Sequence, residues 1–143
     1  MSDGAAACLI MKRSEALKRG LPILGVLRSF SVVGVEPAIM GVGPAAAIPV
    51  AVEKAGLELD EIDVFEINEA FASQATYCCN KLGLDMNKVN PNGGAIALGH
   101  PLGATGARCT AGLLYEMMRR GTWESSTYLK ATGIRRGLWS FLV

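Results

Sequence analysis

Apolar positions fall along this chain in short blocks separated by glycine, proline and charged pairs. Residues 4–11 form a continuous apolar run between Ser2-Asp3 and Lys12-Arg13, which suits a buried strand. Residues 14–19 carry Ser14 as N-cap, helix formers behind it and Gly20 as a stop, so a short helix is predicted there. Across 21–35, Val26, Leu27, Phe30, Val32 and Val33 favour a strand that Gly34 and Glu36-Pro37 end. Ala47, Ile48, Ala51, Val52 and Ala55 then share one face of a helix that Pro44 opens and Gly56 closes. Residues 62–67 read as a third strand. The following helix is predicted to start at Asn68 as N-cap, with Glu69 in its first turn and Gly83 after its end. The clearest helical period runs over 103–120, where Ala104, Ala107, Ala111, Leu114, Tyr115 and Met118 make an apolar stripe expected to be core.

A chain of 143 residues has the size of one domain. Its net charge of +1 and scattered basic pairs (Lys12-Arg13, Lys18-Arg19, Arg119-Arg120, Arg135-Arg136) make no continuous stripe, which argues against nucleic acid as a partner. Cys8, Cys78, Cys79 and Cys109 lack metal-ligand spacing, so neither a metal nor disulfides are expected and a reducing compartment is the natural setting. Cys78, Cys79 and Cys109 fall inside predicted helices, where a thiol behaves as a small hydrophobe. No apolar run reaches the ~18 residues of a membrane span, so no membrane partner is expected.

Candidate chemistry concentrates in residues 90–106, a glycine-rich stretch holding the only histidine, His100. Pro101 pushes His100 into extended backbone, and the helix signal begins directly after it. A helix N-terminus disfavours a second positive charge, which keeps an imidazole able to accept a proton near pH 7. Met40-Gly41-Val42-Gly43-Pro44 is a second glycine loop entering a helix, a place where backbone N–H groups hold anions. It lacks the third glycine of a dinucleotide fingerprint, because Ala46 stands there. Asn68 lies where a strand end meets a helix start, the position at which α/β sheets place their sites. Asn68 and His100 therefore occupy equivalent junctions and are expected to face one crevice.

Ser-Asp-Gly-Ala-Ala-Ala at 2–7, Met-Gly-Val-Gly-Pro at 40–44, Asn-Glu-Ala-Phe-Ala-Ser-Gln at 68–74, the stretch from Asn92 through Gly-His-Pro to Arg108, and Glu-Met-Met-Arg-Arg-Gly at 116–121 occur in that order. Together they resemble the C-terminal half of a thiolase, nearest to the peroxisomal 3-ketoacyl-CoA thiolases of plants. The resemblance covers 1–121. It implies an α/β fold, the C-terminal domain of the thiolase fold, with a mixed sheet flanked by helices. It further implies that His100 activates a nucleophilic cysteine and helps hold the thioester oxygen. Asn68 would position a water that completes the oxyanion hole, and Phe71 with Met40, Gly41 and Gly43 would line the acyl or pantetheine tunnel. Acyl-CoA and coenzyme A would be substrates, with no separate cofactor.

The departures are as specific. The nucleophilic cysteine of the family belongs to its N-terminal half, outside this sequence. The second catalytic cysteine sits in a Cys-x-Gly motif that this sequence lacks. Residues 122–143 depart from the family, so the domain reads as truncated before its last two strands. Within this tail 122–136 is expected to be loosely ordered, and 138–143 is apolar and aromatic enough for an edge strand. Three readings follow: a 3-ketoacyl-CoA thiolase fragment inactive alone, a non-catalytic piece docking on a full-length thiolase subunit, and a free-standing CoA- or nucleotide-binding module resting on the glycine loops only. The parent family is peroxisomal. With no targeting signal recognisable in the sequence, a cytoplasmic location is the default expectation for the chain itself.

Overall fold

The computed structural model describes the backbone of residues 2–121, 128–134 and 137–142, and the side chains of 2–121. Among the described residues, four strands make one mixed sheet. β1 (Ser29–Val33) pairs antiparallel with β4 (Gly137–Leu142), β4 antiparallel with β3 (Tyr128–Ile134), and β3 parallel with β2 (Val64–Ile67), giving the order β1-β4-β3-β2.

Helices cover both faces. On one lies α2 (Gly43–Ala55), where Ile48, Ala51 and Val52 pack with Phe65 and Ile67 of β2 and Cys79 of α3 (Ala72–Leu82). On the other lies α5 (Thr105–Arg120), whose Leu113 and Met117 meet Val64. The alternation of β2 is thus read by two helices, and each large apolar side chain sealed there contributes about 1.5–3 kcal/mol. β1 presents Ser29 and Ser31 to α2. Their hydroxyls donate to the carbonyls of Ala51 (2.6 Å) and Ala47 (2.7 Å), so small side chains let strand and helix approach closely while both hydroxyls are satisfied. Pro37–Ala55 has the length and apolarity to cross a bilayer, but its residues Ala47, Ile48, Ala51 and Val52 are buried against the sheet, as in a core helix.

Gly56, Gly83 and Gly121 end α2, α3 and α5 in the left-handed conformation, as their positions after the last periodic residue predict. The short helix expected over 14–19 is α1 (Arg13–Lys18), with Lys12 rather than Ser14 as its cap.

Several expectations are corrected. Residues 4–11 join no strand, and Leu9 and Ile10 stand 80% and 78% exposed. Only Ser29–Val33 of the span 21–35 is strand, because β4 pairs with those five residues. Asn68 is not an N-cap: the chain runs on through a bend and α3 starts at Ala72. The face of α5 turned to the sheet carries Thr105, Cys109, Leu113, Glu116 and Met117, whereas Tyr115 and Met118 of the predicted stripe are exposed. In the tail, 128–134 is a strand, and 137–142 lies between β1 and β3 instead of at an edge. Residues 122–127, 135, 136 and 143 lie outside the described residues.

Candidate active site

Asn68 directly follows β2 and is buried. A single side chain fixes this strand end. Asn90, in the left-handed conformation that asparagine tolerates, accepts from the Ile67 N–H through Oδ1 (2.7 Å) and donates to the Ile67 carbonyl through Nδ2 (2.8 Å). Its own N–H donates to the Phe65 carbonyl at 2.7 Å. The Asn90 amide therefore stands in for a neighbouring strand at the outer edge of β2.

Glu69 ties this junction to the next turn. Its carboxylate accepts from Asn90 Nδ2 (3.3 Å) and from the Ile96 N–H (3.0 Å) at the start of α4 (Ala95–Leu98). A Cβ at Gly94 would overlap that carboxylate, so a side chain there requires Glu69 to swing away. From α4 the chain passes Gly99 and reaches His100.

The imidazole is held at both nitrogens. Thr105 Oγ1 donates to the Pro101 carbonyl at 2.9 Å and lies 2.7 Å from His100 Nδ1. With its proton so committed, the hydroxyl accepts from Nδ1–H, which leaves Nε2 with a lone pair. Asn68 Nδ2 donates to that Nε2 at 3.3 Å. Asn68 Oδ1 is buried and has no hydrogen-bond partner among the described residues.

Beneath the site the α5 side of β2 carries charge. Burial pushes the Glu66 carboxyl up to about 7, against the opposing pull of the Arg108 guanidinium. Glu116 behaves in the opposite way. Arg119 first, then Asn92 and Arg120, hydrogen-bond its carboxylate and hold it at about 2 in spite of burial. Burial raises the thiols of Cys78 and Cys79 above the ordinary range, which makes both poor nucleophiles.

Asn68 and His100 thus meet in direct contact, closer than a shared crevice requires. Phe71 is exposed after the Asn68 bend, and Met40 is half exposed. Gly41 packs on Gln74, and its carbonyl accepts from the Cys78 thiol at 3.6 Å; Gly43 is the buried first residue of α2. No described hydrogen bond joins these four to His100 or Asn68. Sequence reasoning passed over Thr105, Glu69, Asn90 and Gly94 as positioning groups. The signal for Asn90 was present in the Asn-Pro-Asn-Gly-Gly turn cluster.

Residues 21–135 match the family described as "Thiolase, C-terminal domain". The chain belongs to the thiolase family. It is 72% identical over 121 residues to the peroxisomal 3-ketoacyl-CoA thiolase 2 of Arabidopsis thaliana, a match that takes in 85% of this chain and 26% of that protein. This thiolase chain accordingly spans about a quarter of that relative's length. The peroxisomal 3-ketoacyl-CoA thiolase of Saccharomyces cerevisiae, described as a five-layered α-β-α-β-α structure built from two core domains of identical topology, superposes with a TM-score of 0.83 at 52% identity. The superposition covers 91% of this chain and 37% of that one. Human mitochondrial 3-ketoacyl-CoA thiolase in complex with CoA superposes with a TM-score of 0.84 at 41% identity, over 91% of this chain and 33% of that one. The fold is the C-terminal α/β domain of the thiolase fold.

Proposed function

We propose that the chain supplies the histidine and asparagine half of a 3-ketoacyl-CoA thiolase site, in an enzyme that cleaves a 3-ketoacyl-CoA with coenzyme A to acetyl-CoA and a shortened acyl-CoA. The observation that carries this reading is the fixed imidazole, with Nδ1–H on Thr105 and the Nε2 lone pair beside Asn68. An Nε2 free of its proton can take one from a thiol, raising the thiolate fraction of a nucleophilic cysteine. Once protonated, it is a donor for the oxygen on which charge develops. The unpaired, buried Asn68 Oδ1 supports a second role, as the acceptor that orients a water toward the same oxygen. Acyl-CoA and CoA are the substrates of this reading. Exposed Phe71 and Met40 are candidates for acyl or pantetheine contact.

The chain is expected to be inactive alone. Cys78 and Cys79 are buried with raised thiol pKa values, Cys109 is buried in α5, and half-buried Cys8 lies against the Ala107 carbonyl. Losing the nucleophile of a catalytic unit removes nearly all of the rate that the unit provides. The test is thiolysis of acetoacetyl-CoA by the purified chain, and then alkylation of the nucleophilic cysteine by iodoacetamide in the chain joined to the N-terminal part of the Arabidopsis relative. No turnover in the first, and alkylation in the second that is slowed by His100→Ala, is the expected pair of results. Turnover by the chain alone, or a nucleophile whose alkylation is indifferent to His100→Ala, would overturn the reading.

A further inference from the structure

The Asn68 amide has one end in use and one end idle. Its Nδ2 donates to His100 Nε2 at 3.3 Å, while its Oδ1 is buried and meets no hydrogen-bond partner among the described residues. The residue as a whole is 4% exposed. Buried amide oxygens are ordinarily paired, and one left over marks a functional or strained position.

The far side of the imidazole is fixed. Thr105 Oγ1, committed to the Pro101 carbonyl, accepts from Nδ1–H at 2.7 Å, so a further proton enters the ring at Nε2. Nε2–H is then a donor, and it faces Nδ2, which is a donor too. The acceptor that would relieve this pair is the idle end of the same amide. The two ends of a carboxamide have nearly the same size and shape, so a half-turn about the Cβ–Cγ bond exchanges them without extra room. The charged groups on the elements packed here are Glu66 of β2, Glu69 of the bend after it and Arg108 of α5. The hydrogen bonds described for Glu69 go to Asn90 and the Ile96 N–H, and Arg108 acts on Glu66. No described hydrogen bond from these three reaches the imidazole, which leaves Asn68 as the group that answers a proton on Nε2.

We propose that the Asn68 amide turns over with the proton, presenting Nδ2 to Nε2 while the ring is neutral and Oδ1 to Nε2–H once the ring is protonated. The proton passes from the cysteine thiol to Nε2 and leaves a thiolate, and no bond within Asn68 breaks. In the neutral setting the amide keeps the Nε2 lone pair aimed. In the protonated setting it stabilises the imidazolium and brings Nδ2 to the place that Oδ1 held. A water ordered there then receives a hydrogen bond instead of giving one, and both of its hydrogens are available as charge develops on the substrate oxygen. Asn68 is thus a positioning residue with two settings. The inference rests on the catalytic reading of His100 for its use, and it adds a change of state to that reading.

The test is nitrogen-15 NMR on the full chain. It needs neither nucleophile nor turnover, so its failure is distinct from failure of the catalytic reading. His100 is the only histidine, so its ring nitrogens are identified without ambiguity. With the ring neutral, a coupling through the hydrogen bond between Asn68 Nδ2 and His100 Nε2 is expected. With the ring protonated the coupling should vanish, and Nε2–H should exchange with water roughly tenfold more slowly than in Asn68→Ala, the worth of one hydrogen bond. Nδ1–H, held by Thr105, is the internal reference and should exchange alike in both chains. Asn68→Asp, with an oxygen at both ends, should lack the coupling and keep the slow Nε2–H. A neutral ring without the coupling would overturn the proposal, as would Nε2–H exchange as fast with asparagine or aspartate at 68 as with alanine.

Discussion

The Glu69 carboxylate occupies the space that a side chain at Gly94 would need. It reaches there because its two oxygens are committed to Asn90 Nδ2 and to the Ile96 N–H, so glycine at 94 is the condition for a clamp between the end of β2 and the turn that carries His100.

Gly94→Ala should expel that carboxylate and cost about 1–3 kcal/mol, the usual range for overpacking a close contact. Chemical denaturation measures the loss. A Gly94→Ala chain that keeps its full stability would show that Glu69 does not hold the two turns together.

Thr105→Val removes the acceptor for His100 Nδ1–H. Losing one hydrogen bond of about 1.4 kcal/mol should move the balance between the two imidazole tautomers roughly tenfold toward the Nε2–H form. Because His100 is the only histidine, nitrogen chemical shifts of its ring report the ratio without assignment ambiguity. Unchanged shifts would mean that Thr105 does not set the tautomer.

Glu66 predicts a loss of stability toward neutral pH. Its carboxyl is raised from 4.5 to about 7 by burial, so the folded chain keeps a proton that the unfolded chain releases. Its contribution is complete below pH 4.5 and is lost as pH rises through 7, with a span of up to ~3 kcal/mol. Glu66→Gln, which mimics the protonated form, should flatten the profile across that window in urea titrations.

Glu116 works with the opposite sign. Its carboxyl is lowered from 4.5 to about 2 by Arg119, Asn92 and Arg120, so its contribution is present above pH 4.5 and disappears as pH falls through 2. Glu116→Gln should cost about 1–3 kcal/mol at pH 6 and much less at pH 2.5. Equal losses at both values would separate the effect from the charge of the carboxylate.

The two residues of the candidate site that meet in the structure were legible in the sequence, since Asn68 and His100 each stand in a dense motif at a junction between elements. The periods of α2 and α5 and the glycines that end three helices were equally plain. Other features were not, for physical reasons. Asn68 reads as a helix cap because asparagine favours that place, yet its amide is spent on an imidazole 32 positions away. The stripe on α5 holds only in part, with Ala104 buried and Leu114 packed on the core but Tyr115 and Met118 exposed, because periodicity reports that a face is apolar and not what covers it. Residues 4–11 have the composition of a strand, while strand pairing depends on a neighbour that no local pattern contains. Asn90 and Glu69 act through contacts 21–27 positions distant, beyond the reach of any local rule.

The Asn90 amide that closes off Ile67 also decides how this sheet can meet its own kind. An edge strand ordinarily offers a ladder on which further chains can stack, but at β2 that ladder is already taken up by a side chain and by the Asn90 N–H. A strand arriving at this edge could pair with Ile67 only by first displacing the Asn90 amide, so the asparagine blunts the β2 side of the sheet with groups that belong to the chain itself.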